Sequence, residues 1–91
     1  MIQFRLALPP VESLKDKRRI IVSLMEKLAH KFHLTVAEVD LQDSLRQAQI
    51  GAAVVSNSRT FGEMVMHKAL SFVEANCEGV LEDAQVFSET Y

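Results

Sequence analysis

Seven residues of this 91-residue chain have the types and spacing that would hold an anion. Lys15, Lys17, Arg18 and Arg19 fall within five positions in the run SLKDKRRIIVSL at 13–24, and Asn57, Ser58 and Arg59 follow one another further on. Ammonium and guanidinium groups neutralise phosphate, and the unpaired N–H groups of a helix start supply donors for the same oxygens. The chemistry suggested is recognition of a phosphate, of RNA or of a small phosphorylated ligand. The plainer account is a solvated helix start with ordinary caps, since surface lysines need no partner.

Other chemistry has less to stand on. Glu38, Asp40 and Asp43 offer the oxygen ligands of a hard metal, but only two of them need share a strand face. Their expected work is to discourage edge-to-edge pairing and to meet Arg5 or Arg46. His30, His33 and His67 have no recognisable ligand spacing with a cysteine or carboxylate. No Ser, Thr or Cys stands in a nucleophile motif, and Gly51, Gly62 and Gly79 form no phosphate loop. Cys77 is the single cysteine, which excludes an internal disulfide, a thiolate zinc cage and a CxxC redox pair. The expectation is a protein without catalysis, metal or cofactor.

Composition bounds the scaffold that must position these residues. Apolar residues make up 48% of the chain and charged ones 24%, with three Gly and two Pro, which excludes collagen-like, low-complexity and disordered classes. Residues 1–91 should form one domain. The net charge of −2 hides an asymmetry: residues 1–33 hold seven Lys/Arg against three Asp/Glu, and residues 34–91 hold three against nine. A polyanion contact must therefore be local. No apolar run approaches the roughly 18 residues that cross a bilayer, and MIQFRLALPP is too short for a secretory signal, so no membrane partner is expected. A lone cysteine suits a reducing cytoplasm.

The elements follow from periodicity. IQFRLAL alternates Ile2, Phe4, Leu6 and Leu8 against Gln3, Arg5 and Ala7, a half-buried strand that Pro9 and Pro10 stop. Ser13 is placed to cap a helix of about 20 residues, with the stripe Leu14, Ile21, Leu24, Met25, Leu28 and Phe32 turned to the core. LTVAEVDL at 34–41 reads as a second strand, with Ala37, Val39 and Leu41 on one face and Glu38 and Asp40 on the other. AQIGAAVVS reads as a third, central strand. Thr60 and Glu63 have capping-box spacing, so a second helix should begin near residue 60 with Phe61, Val65, Ala69, Phe72 and Val73 inward. Gly79 offers a left-handed helix stop, and VLEDAQVFSE reads as an edge strand.

The order β-α-β-β-α-β points to an α+β fold, the ferredoxin-like split βαβ sandwich: four antiparallel strands in the order 4-1-3-2, with both helices on one face. With strands one and three taken to run the same way, both helices start at one end of the sheet. Lys15, Lys17 and Arg18 would then share an anion-binding corner with Asn57, Ser58 and Arg59. The helix-free face is expected to carry Arg5, Glu38 and Asp40 around Gly51, Ala53 and Val55 or their alternates, a pattern that suits a second copy or a protein partner. It lacks the exposed aromatics on which RNA bases stack; Phe4 belongs to the core, and Phe87 is the one weak candidate.

The blocks SLKDKRRIIVSL at 13–24, VAEVDLQD at 36–43 and GAAVVSN at 51–57, in this order and spacing, resemble the YlxP-like family of small bacterial proteins, a domain of unknown function. The similarity runs the length of the chain. It implies a ferredoxin-like fold and a gene neighbourhood of translation and ribosome-maturation factors, and no established chemistry. By that resemblance Ser13, Leu14, Lys15, Lys17 and Arg18 match the family's basic helix start, Glu38, Val39, Asp40, Gln42 and Asp43 its acidic strand end, and Val55, Ser56 and Asn57 the turn into the second helix. The chain departs at Leu45, where the resemblance implies tryptophan, and at Leu41, where it implies a polar residue. The expected partner is ribosomal RNA or a ribosomal subunit; the alternative is a homo-oligomeric or anion-sensing module that uses the sheet face.

Overall fold

The computed structural model describes residues 1–54 and 58–86. Its elements are β1 (Ile2–Ala7), α1 (Leu14–Phe32), β2 (Thr35–Asp40), β3 (Gln47–Ala53), α2 (Arg59–Asn76) and β4 (Val80–Val86). They form one four-stranded sheet in the order β2-β3-β1-β4, antiparallel at every pairing, so the ferredoxin-like α+β sandwich read from the sequence is the fold.

Alternation in β1 buries Ile2, Phe4 and Leu6 against the helix layer, each at 1% exposure or less. On β3, Ala48, Ile50 and Ala52 share that face, because Leu6 pairs with Ala48, Phe4 with Ile50 and Ile2 with Ala52. The helices close the core with Ile21, Leu24 and Leu28 from α1 and Met66, Ala69 and Val73 from α2. Each large apolar side chain so enclosed stabilises the fold by about 1.5 to 3 kcal/mol over its exposed state.

Ser13 caps α1 as its position predicts, its Oγ accepting from the Asp16 N–H at 3.2 Å. Four local expectations are corrected, the first at Leu14, expected in the core stripe of α1 and in fact 45% exposed. The cap of α2 is Ser58, whose Oγ accepts from the Phe61 N–H at 3.3 Å, so the helix starts one residue before Thr60. Phe61 is 52% exposed, not inward; the buried stripe of α2 runs through Met66, Ala69 and Val73. Gly79 has no positive φ, and α2 ends instead on Cys77 in an extended conformation. Glycine is required at 79 for proximity: a Cβ there would lie 2.0 Å from the Ala7 carbonyl oxygen, where β4 crosses the end of β1.

The larger correction concerns direction. A strand-helix-strand crossover brings β2 back parallel to β1, and the following hairpin reverses β3, so β1 and β3 are neighbours that run in opposite senses. The end of β1, Ala7, meets the start of β3, Gln47, and the start of β1, Ile2, meets Ala52 near the end of β3. Helix α1 therefore begins at one end of the sheet and α2 at the other. No corner is shared by the two helix starts.

Candidate functional site

The cations of the α1 start separate into two roles. Lys15, Arg18 and Arg19 are exposed on the first turns of the helix, while Lys17, one position round, is 2% exposed. A buried ammonium needs compensation, and three oxygens supply it. Lys17 Nζ lies 3.1 Å from Glu38 Oε2 and donates to the carbonyls of Leu41 at 2.6 Å and Gln42 at 3.5 Å. Lys17 thus joins α1 to the end of β2 and the loop behind it. It is not available to a phosphate in solution, which corrects its place in the anion-binding set.

The same contact corrects Glu38. Glu38 pairs in register with Ile50 and Val36 with Ala52, both core-facing positions, so Glu38 turns toward the helices and away from the open sheet face. Ala37, opposite Gly51, takes the open face instead. The register shifts between Glu38 and Asp40, and this bulge sets Asp40 opposite Gln49 on the open side. Val39 lies over Gly51, 3.1 Å from where a Cβ would stand, and is 46% exposed. Arg5 stays on the open face and forms an ion pair with Glu82 at 3.5 Å. Of the three residues expected on that face, Arg5 and Asp40 are there and Glu38 is not.

The loop after β2 is built around the lysine contact. Leu41 has φ 63°, a left-handed conformation that costs a side-chain-bearing residue about 1 to 2 kcal/mol. Three hydrogen bonds offset it: the Leu41 N–H donates to Asp40 Oδ1 at 2.8 Å, and the Leu41 carbonyl accepts from the Ser44 N–H at 3.0 Å and from Lys17. Ser44 Oγ then accepts from the N–H groups of Arg46 and Gln47, both at 3.2 Å, and leads the chain into β3.

At the other end of the sheet, Arg59 forms an ion pair with Glu63 at 3.1 Å, with the guanidinium side chain 64% exposed. Ser58 is used as the cap, and Asn57 lies outside the described residues, as do Val55, Ser56 and Phe87. The anion set read from the sequence thus leaves Lys15, Arg18 and Arg19 together and exposed, Lys17 internal, and Arg59 far removed. Arg19 also lines a hollow of about 400 Å³ between α1 and the end of α2, with Asp16, Lys27, Cys77 and Glu78 on its walls. The Cys77 thiol there points to the Gly79 carbonyl at 3.1 Å.

Sequence reasoning did not single out a second hollow, on the seam where the C-terminal half of α1 faces the middle of α2. Lys31 and Phe32 meet Met64, His67, Lys68 and Phe72 there. The signal was present within each helix, in the adjacent Lys31 and Phe32 and in the Lys68–Phe72 spacing of one turn. Their meeting depends on how the two helices pass. Among the described residues no three His, Cys, Asp or Glu side chains gather where they could hold one metal ion, and no helix is long and apolar enough to cross a membrane.

Over 63 residues, 69% of this chain and 68% of the relative, the sequence is 30% identical to the uncharacterized protein YlxP of Bacillus subtilis (strain 168). Residues 1–86 match the family described as "Protein of unknown function (DUF503)", and the chain belongs to that YlxP-like family.

Proposed function

We propose that this protein is a non-enzymatic cytoplasmic binding domain that associates with RNA in translation or ribosome assembly, through Lys15, Arg18 and Arg19 at the start of α1. The observation that carries the reading is the division of labour at that helix start. Glu38 neutralises Lys17 inside the fold, and the three remaining cations stand exposed within five positions beside the positive end of the helix dipole. The excess of seven cations over three acids in residues 1–33 adds a local positive field to a chain of net charge −2.

The test is co-sedimentation with ribosomal subunits at low and high salt, comparing the protein with a Lys15→Glu/Arg18→Glu variant. Lys17 is left intact because its replacement would disturb the fold. Salt-sensitive association that the variant loses supports the reading; absence of the protein from every ribosomal fraction overturns it.

The exposed Val39 beside Ala37, Gly51 and Ala53 favours a second reading, self-association through the open sheet face, with the Arg5–Glu82 ion pair beside that apolar patch. Four strands about 4.8 Å apart and some 20 Å long present roughly 400 Å². A stable interface buries about 800 Å² per partner, so this face alone supports a weak dimer and ranks second. A solution mass of twice the chain mass, with no RNA retained, would reverse that ranking.

A further inference from the structure

The seam hollow has about 660 Å³ of space, and its wall mixes rings, a thioether and cations: Lys31, Phe32, Met64, His67, Lys68 and Phe72. The two rings meet edge to face, centroids 5.7 Å apart and planes at 77°. Lys31 Nζ lies 4.8 Å from the Phe72 centroid and 5.9 Å from that of Phe32. Met64 is 46% exposed at the rim. Among the described residues that line the hollow there is no carboxylate, so its field is positive.

Size, charge and ring chemistry select the occupant. Seven residues line the hollow, against roughly 20 to 30 a side in an ordinary protein interface, while its volume falls in the range of about 300 to 1,000 Å³ found for small-ligand sites. The charge calls for an anion. An ammonium over an exposed ring is worth about a two- to fivefold preference. A nucleobase stacked on an aromatic side chain is worth about five- to 150-fold. A base therefore displaces Lys31 from the face of Phe72 and frees its ammonium to meet the phosphate that accompanies the base.

We infer that the hollow is a subsite for one nucleotide of single-stranded RNA, its base on Phe72 and its phosphate held by Lys31 and Lys68. The inference rests on the RNA association proposed above and adds to it a base-stacking site on the helix layer, where the open sheet face has no aromatic side chain among the described residues.

Fluorescence anisotropy of a labelled uridylate dodecamer, titrated with the full chain across a range of salt, tests it. Phe72→Leu keeps apolar bulk and removes the ring; it should weaken binding about five- to 150-fold with the salt slope unchanged. Lys31→Ala/Lys68→Ala, at two exposed positions, should weaken binding and flatten the log–log salt slope by about 0.7, the share of the one phosphate that the two lysines hold. Full-strength binding by both variants overturns the subsite. If Lys15→Glu/Arg18→Glu abolishes binding while both seam variants retain it, the subsite falls and the proposed function stands. If the seam variants weaken binding and the helix-start variant does not, the subsite stands and the helix-start assignment falls. Failure of the unaltered protein to bind the dodecamer overturns the subsite, while ribosomal co-sedimentation judges the broader reading separately. Equal binding of a polyglutamate of matched charge, unaffected by Phe72→Leu, overturns base stacking.

Discussion

The Lys17 ammonium lies 3.1 Å from the Glu38 carboxylate and 2.6 Å from the Leu41 carbonyl, and so ties the second turn of α1 to the end of an edge strand and the loop that follows it. The lysine side chain is 3% exposed and the glutamate 22%, which places the pair largely out of water. Within a basic run, one cation is spent on holding the fold while its neighbours face solvent.

Removing one partner of such a pair leaves the other charge buried and uncompensated. Lys17→Met should lower stability by about 3 kcal/mol, and Lys17→Met/Glu38→Leu should recover most of that loss. Urea denaturation of the two variants checks it; equal losses in both would mean that the backbone contacts of Lys17, and not the ion pair, carry the energy.

Two glycines should behave oppositely. Gly79→Ala drives a methyl group against the Ala7 carbonyl, a backbone atom that cannot swing aside, and should cost about 3 kcal/mol or more. Gly51→Ala has one tight contact, a Val39 methyl at 3.1 Å on the open face, and should change stability by less than about 1 kcal/mol. Thermal unfolding separates them, since about 3 kcal/mol moves Tm by ten degrees or more in a domain of this size.

His33 closes α1 in a left-handed conformation, φ 54°, with an exposed side chain. Glycine adopts that conformation without steric cost, and its greater freedom in the unfolded chain offsets only part of the gain. His33→Gly should raise Tm by a few degrees, about 0.5 to 1 kcal/mol of stability. An unchanged or lower Tm would show that the imidazole makes a compensating contribution.

Substitution on the open face should leave RNA association intact. Val39→Lys should keep the salt dependence of ribosomal co-sedimentation, whereas Lys15→Glu/Arg18→Glu should flatten it by at least about 1.4 in log–log slope, because two counterion-releasing contacts are lost. A Val39→Lys effect as large as that of the helix-start variant would move the contact to the sheet.

The sequence by itself determined the order of elements, the core-facing residues of β1 and the Ser13 cap, because these depend on alternation, helical period and groups three residues apart. The family resemblance was likewise legible in three short blocks, and the match over residues 1–86 agrees with it. Three things waited for the tertiary structure. A period of two says which residues of β2 share a face, and polarity alone would turn Ala37 and Val39 inward; pairing of Val36 with Ala52 and of Glu38 with Ile50 turned the other set to the helices, where Lys17 meets the carboxylate. The opposite senses of β1 and β3, which separate Lys15 and Arg18 from Arg59, were by contrast already contained in an antiparallel sheet of order 4-1-3-2. The burial of Lys17 and the meeting of Phe32 with Phe72 depend on which side of each helix its neighbour occupies, a long-range fact that residue type and local spacing do not contain.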